Sequence, residues 1–202
     1  MREDYIQTRN FIRLKEAFVD LKELPASAPK MGLGYGNYGL GKTMSLNKIA
    51  DSEDALLFRA VQTWTKTSVL RELCLELGVD ASGQASAMFI RVREALNNQP
   101  RIIIVDEVDA ILKGTKNEVL EMFRDLHDET GVIVFFVGME EANAKFKKHG
   151  HYYSRIVNFV KFEPIGKEDI KKFCELSEIK VEEDLIDFFC SKYPNLRNIR
   201  VL

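Results

Sequence analysis

The sequence predicts an α/β fold, a three-layer sandwich around a mostly parallel five-stranded sheet followed by a small helical unit. Three observations carry that expectation. Short apolar runs alternate with amphipathic helical patterns, the order that builds strand–helix–strand units around a parallel sheet. Two of the runs, Ile102–Val105 and Val132–Val137, are apolar at every position, as strands covered on both faces are. After Pro164 the patterning is helical and no further strand is predicted.

The elements follow in order. Thr8 has the chemistry of an N-cap, and Phe11, Leu14, Phe18 and Leu21 recur at helical spacing, so Arg9–Leu24 reads as an amphipathic helix. Pro25–Pro29 is a linker. Met31–Tyr35 is a short strand running into a glycine-rich turn, and Lys42–Asp51 continues as a helix. Ala55–Val61 is a second strand. Trp64 and Thr65 lead into a helix with Val69, Leu70, Leu73 and Leu77 on its apolar face, and Gly78 supplies a C-terminal stop. Ala85, Phe89, Val92 and Leu96 mark the next helix, ahead of the aliphatic strand Ile102–Val105. Val119, Leu120, Phe123 and Leu126 mark another, followed by the strand Val132–Val137, a polar helix Glu140–Lys148 and a fifth strand Val157–Phe162. Glu168–Leu176 and Glu182–Tyr193 complete the pattern. The expected division is an N-terminal helix and linker over 1–30, an α/β core over 31–163 and a helical lid over 164–202.

Composition narrows the class. With 46% hydrophobic and 30% charged residues, the chain has the balance of a soluble globular protein. No apolar run approaches the ~20 residues that span a bilayer, and Met1–Asn10 is polar without a signal core, so a membrane partner and secretion are not expected and the cytoplasm is. Cys74, Cys174 and Cys190 are odd in number and far apart, which suits small hydrophobes in a reducing compartment. A net charge of −2 neither advertises nor excludes a nucleic-acid partner, because a local basic stripe binds phosphates on a neutral protein.

Gly36-Asn37-Tyr38-Gly39-Leu40-Gly41-Lys42-Thr43 fits G-x-x-x-x-G-K-[ST] in full. The glycines permit turn conformations that direct backbone N–H groups at phosphates. The helix that follows presents its N-terminus to the anion. Lys42 is placed to reach β- and γ-phosphates, and Thr43 to offer its hydroxyl to Mg²⁺. A second motif follows ~60 residues on, where Asp106-Glu107 ends the aliphatic strand. Asp106 suits a metal held through water, and Glu107 suits the base that orients and deprotonates an attacking water. Phosphoryl transfer needs mainly positioning and charge neutralisation, which these groups supply. ATP and Mg²⁺ are therefore the expected ligands.

The chain resembles the AAA+ ATPases of DNA transposition, most closely the B-protein family of Mu-type transposable phages. The resemblance is carried by Thr8-Arg9-Asn10, Tyr35–Thr43, Trp64-Thr65, Val105-Asp106-Glu107, Phe123-Arg124-Asp125-Leu126-His127-Asp128, Val137-Gly138-Met139-Glu140 and Arg155-Ile156. It implies an ATPase that assembles as a ring or helical filament on duplex DNA without strong sequence preference and recruits a transposase. Hydrolysis would dismantle the assembly. By position, the resemblance makes Arg155 an arginine finger for a neighbouring subunit and Arg197 a second sensor, with Arg200 the competitor. One departure is plain: the place of the polar first sensor is held by Gly138 and Met139, so Glu140 or another residue substitutes, or hydrolysis is slow.

DNA-facing loops are expected at Thr65-Lys66-Thr67 and Lys113-Gly114-Thr115-Lys116, with Lys66, Thr67, Lys113 and Lys116 as candidate phosphate contacts. Lys145-Phe146-Lys147-Lys148 reads as a solvated helix face, His127 with Asp128 as a polar helix end, and Trp64 as a packing residue. Two other functions share the ATP site: a helicase-loader-like ATPase, and an assembly module that senses ATP with little hydrolysis.

Overall fold

The computed structural model describes residues 6–112, 117–176 and 182–192. Within them lie α1 (Arg9–Glu23), β1 (Met31–Tyr35), α2 (Lys42–Glu53), β2 (Leu56–Arg59), α3 (Lys66–Glu76), α4 (Ala85–Asn98), β3 (Ile103–Asp106), α5 (Glu118–Thr130), β4 (Val134–Gly138), α6 (Ala142–Lys147), α7 (Gly150–Tyr153), β5 (Ile156–Lys161), α8 (Lys167–Leu176) and α9 (Glu183–Lys192). The strands form one sheet in the order β2-β3-β4-β1-β5, and every pair is parallel. β4 therefore lies between β1, which leads into the glycine-rich turn, and β3, which ends in Asp106.

Each central strand divides its side chains between two cores, as a two-residue period requires. Ile103, Val105, Val134 and Phe136 face the larger core under α3 to α7. Ile104, Phe135 and Val137 face the second, under α1 and α2. α1 is set by its cap, since the Thr8 hydroxyl accepts from Phe11 N at 3.3 Å. Its Leu14, Phe18 and Leu21 are fully buried. Gly32 in β1 is required by packing, because a Cβ there would enter the Phe135 ring, itself stacked on Phe18 with centroids 4.6 Å apart.

Three local expectations are corrected. The second strand is shorter than Ala55–Val61. The polar helix expected over Glu140–Lys148 starts later, at Ala142, and a separate turn α7 follows it. Its basic run is not a solvated face throughout: Phe146 is fully buried and Lys145 pairs with Asp109 at 2.7 Å. His127 stands at a helix end, as expected, and has a further role. It is buried in the last turn of α5, its Nε2 accepts from Lys30 N at 3.2 Å, and its Nδ1 lies 2.8 Å from the Val132 carbonyl. Since the Lys30 N–H must donate, Nε2 is bare and Nδ1 carries the proton. One neutral imidazole thus ties α5 to the chain entering β1 and β4. Trp64 packs edge-on against Phe58, as expected of a packing residue, and its Nε1 donates to Glu72.

α8 and α9 share a small core of Ile165, Ile170, Cys174 and Ile186. Asp169, buried in α8, accepts from Arg9 N at 2.9 Å and Gly166 N at 3.1 Å. It therefore caps its own helix and α1 together.

Candidate functional site

The two sequence motifs meet at the carboxyl edge of the sheet, where open parallel sheets bind ligands. Gly39 and Gly41 hold φ of 77° and 84°, a left-handed backbone that glycine adopts without steric penalty. Gly36 is needed for a different reason. A Cβ there would stand 2.7 Å from the Phe162 carbonyl oxygen, because Phe162, just after β5, bonds back to Tyr35 beside the turn. Gly41 caps α2, so the turn ends on the N–H groups of a helix N-terminus.

The Lys42 ammonium donates to the carbonyls of Gly36 and Asn37, both at 2.6 Å. Burial lowers its pKa from the ordinary lysine value; Asp106, Asp109, Glu107 and Glu140 oppose that shift. The Thr43 hydroxyl donates to Asp106 Oδ2 at 2.8 Å, and Asp106 Oδ1 accepts from Glu107 N at 2.8 Å. Asp106 is buried, at 4% exposure, so both contacts hold it in one orientation. A hydroxyl and a carboxylate side by side are hard oxygen donors, the set that Mg²⁺ takes together with phosphate oxygens. Among the described residues no group of three His, Cys, Asp or Glu forms a separate metal cage.

Glu107 is exposed and stands at φ 54°, ψ 38°. Its carboxylate accepts from Arg59 Nη2. Arg59 is the last residue of β2, paired in register with Asp106, so neighbouring strand ends juxtapose a carboxylate and a guanidinium.

Arg155, between α7 and β5, spreads its guanidinium over Asp128. Its Nε lies 2.7 Å from Oδ1, its Nη2 2.7 Å from Oδ2, and its Nη1 donates to the His151 carbonyl at 3.1 Å. The Asp128 hydrogen bond holds its pKa above the ordinary arginine value. Arg155 is therefore committed to an ion pair within its own chain.

The structure brings Gly36 to Thr43, Asp106 and Glu107 together. Arg155 is held apart from them on the α5–α7 face. Glu140 is drawn aside by Lys161 at 3.0 Å. Lys66 lies over the Phe89 ring and Thr67 is exposed at the start of α3. Lys113, Lys116, Arg197 and Arg200 lie outside the described residues.

Sequence reasoning gave no such contact to four residues, Arg59, Asp109, Asp128 and Asn10, although Asn10 and Asp128 stand in stretches that carry the resemblance. Asp109 Oδ2 accepts from Met139 N at 2.5 Å, and its Oδ1 accepts from Lys145. Buried Asn10 donates to the carbonyls of Glu163 at 2.8 Å and Leu40 at 3.4 Å, and accepts from Glu163 N at 3.0 Å. It ties α1 to the phosphate turn and to the segment after β5. Asp109 had a local signal of its own, standing three residues after Asp106 in the same acidic stretch. The others act through contacts between distant segments.

The AAA domain family matches residues 26–146. No curated protein sequence matches the chain. Among solved structures, the fold is similar to the Aeropyrum pernix ORC1 protein in complex with DNA (TM-score 0.63, 17% identity, 97% of this chain and 59% of that one). It is also similar to domain III of the Thermotoga maritima replication initiation protein DnaA (TM-score 0.54, 17% identity, 97% and 82%). AMPPCP-bound DnaA from Aquifex aeolicus gives a TM-score of 0.63 at 17% identity, over 97% of this chain and 61% of that one. The chain thus spans about three fifths of the ORC1 and Aquifex aeolicus DnaA chains. At this identity the likeness is one of fold.

Proposed function

The chain belongs to the AAA domain family, and from that premise we propose that it binds and hydrolyses ATP and acts as an ATP-controlled, DNA-binding assembly factor of transposition. The observation that carries the ATP site is the 2.8 Å hydrogen bond between Thr43 and Asp106. It joins a complete phosphate-binding turn to the acidic end of β3, across 63 residues of sequence.

In this reading the amides of Gly36–Thr43 and the Lys42 ammonium bind and orient the β- and γ-phosphates. Thr43 and Asp106 hold Mg²⁺, which when bound neutralises charge on the phosphate oxygens. Glu107 orients the attacking water and takes its proton, which requires its ion pair with Arg59 to open. Arg155 serves a neighbouring subunit's γ-phosphate, since its fork suits phosphate oxygens. To do so it must leave Asp128, so ATP binding and self-association are coupled. Division of the chain into 1–30, a core of 31–163 and a lid of 164–202, with Arg197 in the lid reaching the γ-phosphate, belongs to the same proposal.

The partners are duplex DNA bound without strong sequence preference, further copies of the chain in a ring or filament, and a transposase. Support for DNA comes from the fold shared with proteins solved on DNA. Support for transposition comes from the sequence resemblance to the B proteins of Mu-type phages. Lys66 and Thr67 at the start of α3, with Lys113 and Lys116, are the proposed phosphate contacts.

The test is ATP turnover and DNA binding by fluorescence anisotropy, with ATP, ADP or no nucleotide, across a salt series. ATP-dependent binding that is indifferent to sequence and weakens with salt supports the reading, because such binding rests on counterion release. Nucleotide binding with no DNA binding in any state rules out the DNA role and leaves the ATP site standing.

A second reading has an observation of its own. Glu107 and Arg155 are both held in ion pairs, the arrangement of a module that senses ATP and hydrolyses little. Turnover that stays negligible with DNA and at high protein concentration favours it.

A further inference from the structure

β4 runs between the strand that leads into the phosphate turn and the strand that ends in Asp106. Its carboxyl end therefore faces the gap in which the proposed terminal phosphate lies. The chain places Gly138 and Met139 at this point, and neither side chain offers a phosphate a hydrogen-bond donor.

The gap is filled from elsewhere. Asp109, in the turn after β3, reaches across to β4, and its Oδ2 accepts from Met139 N at 2.5 Å. Gly138 makes room for it, because a Cβ on that residue would stand 2.5 Å from the same oxygen. Asp109 Oδ1 accepts from Lys145 Nζ at 2.7 Å. Lys145 belongs to α6, the helix after β4, and is turned back toward the strand end by this contact. A bare carboxylate beside a phosphate would repel it. The ammonium cancels that charge, and with three N–H donors it is not exhausted by one carboxylate oxygen. Lys145 is 39% exposed and Asp109 19%, so the pair stands at the edge of the site. Asp109 is also among the charges that raise the Lys42 pKa against its burial, and its bond to Met139 N sets the pair at the end of β4.

We propose that Lys145, positioned by Asp109, contacts the γ-phosphate of ATP and so does the work that the end of β4 leaves undone. This rests on the ATP reading above. It makes Lys145 a group that distinguishes ATP from ADP, and Asp109 the residue that positions it.

The test compares wild type, Lys145→Met, Lys145→Arg and Asp109→Asn in the full chain. Fluorescent ATP and ADP analogues report affinity, and multiple-turnover kinetics report kcat and KM. Removing one donor to charge on a transferring group costs ~10²-fold or more when it is buried, and Lys145 is partly solvated, so about a tenfold loss is expected. Lys145→Met should lose about tenfold in kcat and in the preference for ATP over ADP, while its ADP affinity and melting temperature stay at the wild-type values. Lys145→Arg should recover most of both, and Asp109→Asn should fall between. A Lys145→Met protein with wild-type kcat and wild-type ATP-over-ADP preference overturns the proposal and leaves the pair as a structural brace. So does a loss that Lys145→Arg fails to restore. If the wild type binds ATP without turnover, the hydrolysis reading fails alone, and the ATP-over-ADP preference still decides the role of Lys145. If it binds neither nucleotide, both fail together.

Discussion

The backbone of Glu107 offers a way to separate what this residue costs the fold from what it does in the site. It is one of two non-glycine residues with positive φ among those described, at 54°. For an L-residue the left-handed region costs roughly 1–2 kcal/mol. The surroundings hold it there: Glu107 N donates to Asp106 and its carbonyl accepts from Ala110 N. Replacing Glu107 by Ala removes the carboxylate and keeps the Cβ that causes the strain. Replacing it by Gly removes both. Gly gives back some of the gain, because its unfolded chain has more freedom, worth ~0.4–1 kcal/mol. The difference between the two variants is independent of the Arg59 pair, which both lack. Glu107→Gly should therefore be about 0.5–1 kcal/mol more stable than Glu107→Ala, read from urea midpoints at equal slope. Asp54, at φ 48°, provides the control and should show the same sign. Both Glu107 variants should retain ATP binding and lose turnover, so the more stable protein is no better a catalyst. A Glu107→Ala protein as stable as Glu107→Gly would refute the strain, and turnover surviving in either would refute the role as base.

Other expectations follow from single residues. Burial holds the Lys42 pKa below the ordinary 10.5, and a bound phosphate favours its charged form. Above its free value the lysine must first take up a proton, so ATP affinity should fall as pH rises and begin to do so below 10.5; calorimetry in buffers of different ionisation heat would show the proton uptake. Gly36→Ala forces a Cβ against the Phe162 carbonyl, an overpacking worth ~1–3 kcal/mol, and should lower both the melting temperature and phosphate binding. Tyr152 is buried, and burial, the larger cause, with the Glu121 carboxylate pushes its pKa up to about 12. An unfolded tyrosine ionises near 10, so the stability this group gives is present below pH 10 and is lost between about 10 and 12; Tyr152→Phe should flatten the loss seen in denaturant melts there. His127→Leu strands Lys30 N–H and the Val132 carbonyl, at about 1–3 kcal/mol for each unpaired group, measurable as a drop in urea midpoint with the fold retained.

Much of the core site could be read from residue order because its parts are local. Gly36 to Thr43 is a contiguous run whose spacing has one known use, and Asp106-Glu107 follows a strand whose aliphatic residues mark it as buried on both faces. The boundaries read less well. The helix expected from Glu140 begins at Ala142, after a turn in which the Ala142 N–H bonds to the Met139 carbonyl. His127 looked polar and terminal, and only the approach of Lys30 and Val132 shows it to be an internal tether.

The sequence by itself determined the alternation of strand and helix, the phosphate-binding turn and the acidic strand end, since periodicity and contiguous motifs are properties of neighbouring residues. The tertiary structure alone decided which strands lie side by side, and so that β4 stands between the two motifs. It also decided that Arg59 engages Glu107, that Asp128 engages Arg155, and that Asp109 brings Lys145 to the end of β4. Each of these pairs joins segments 27 or more residues apart. Charge and hydrogen-bonding capacity are written in every such side chain, but a partner is chosen only when packing of the sheet and helices fixes the distance between them.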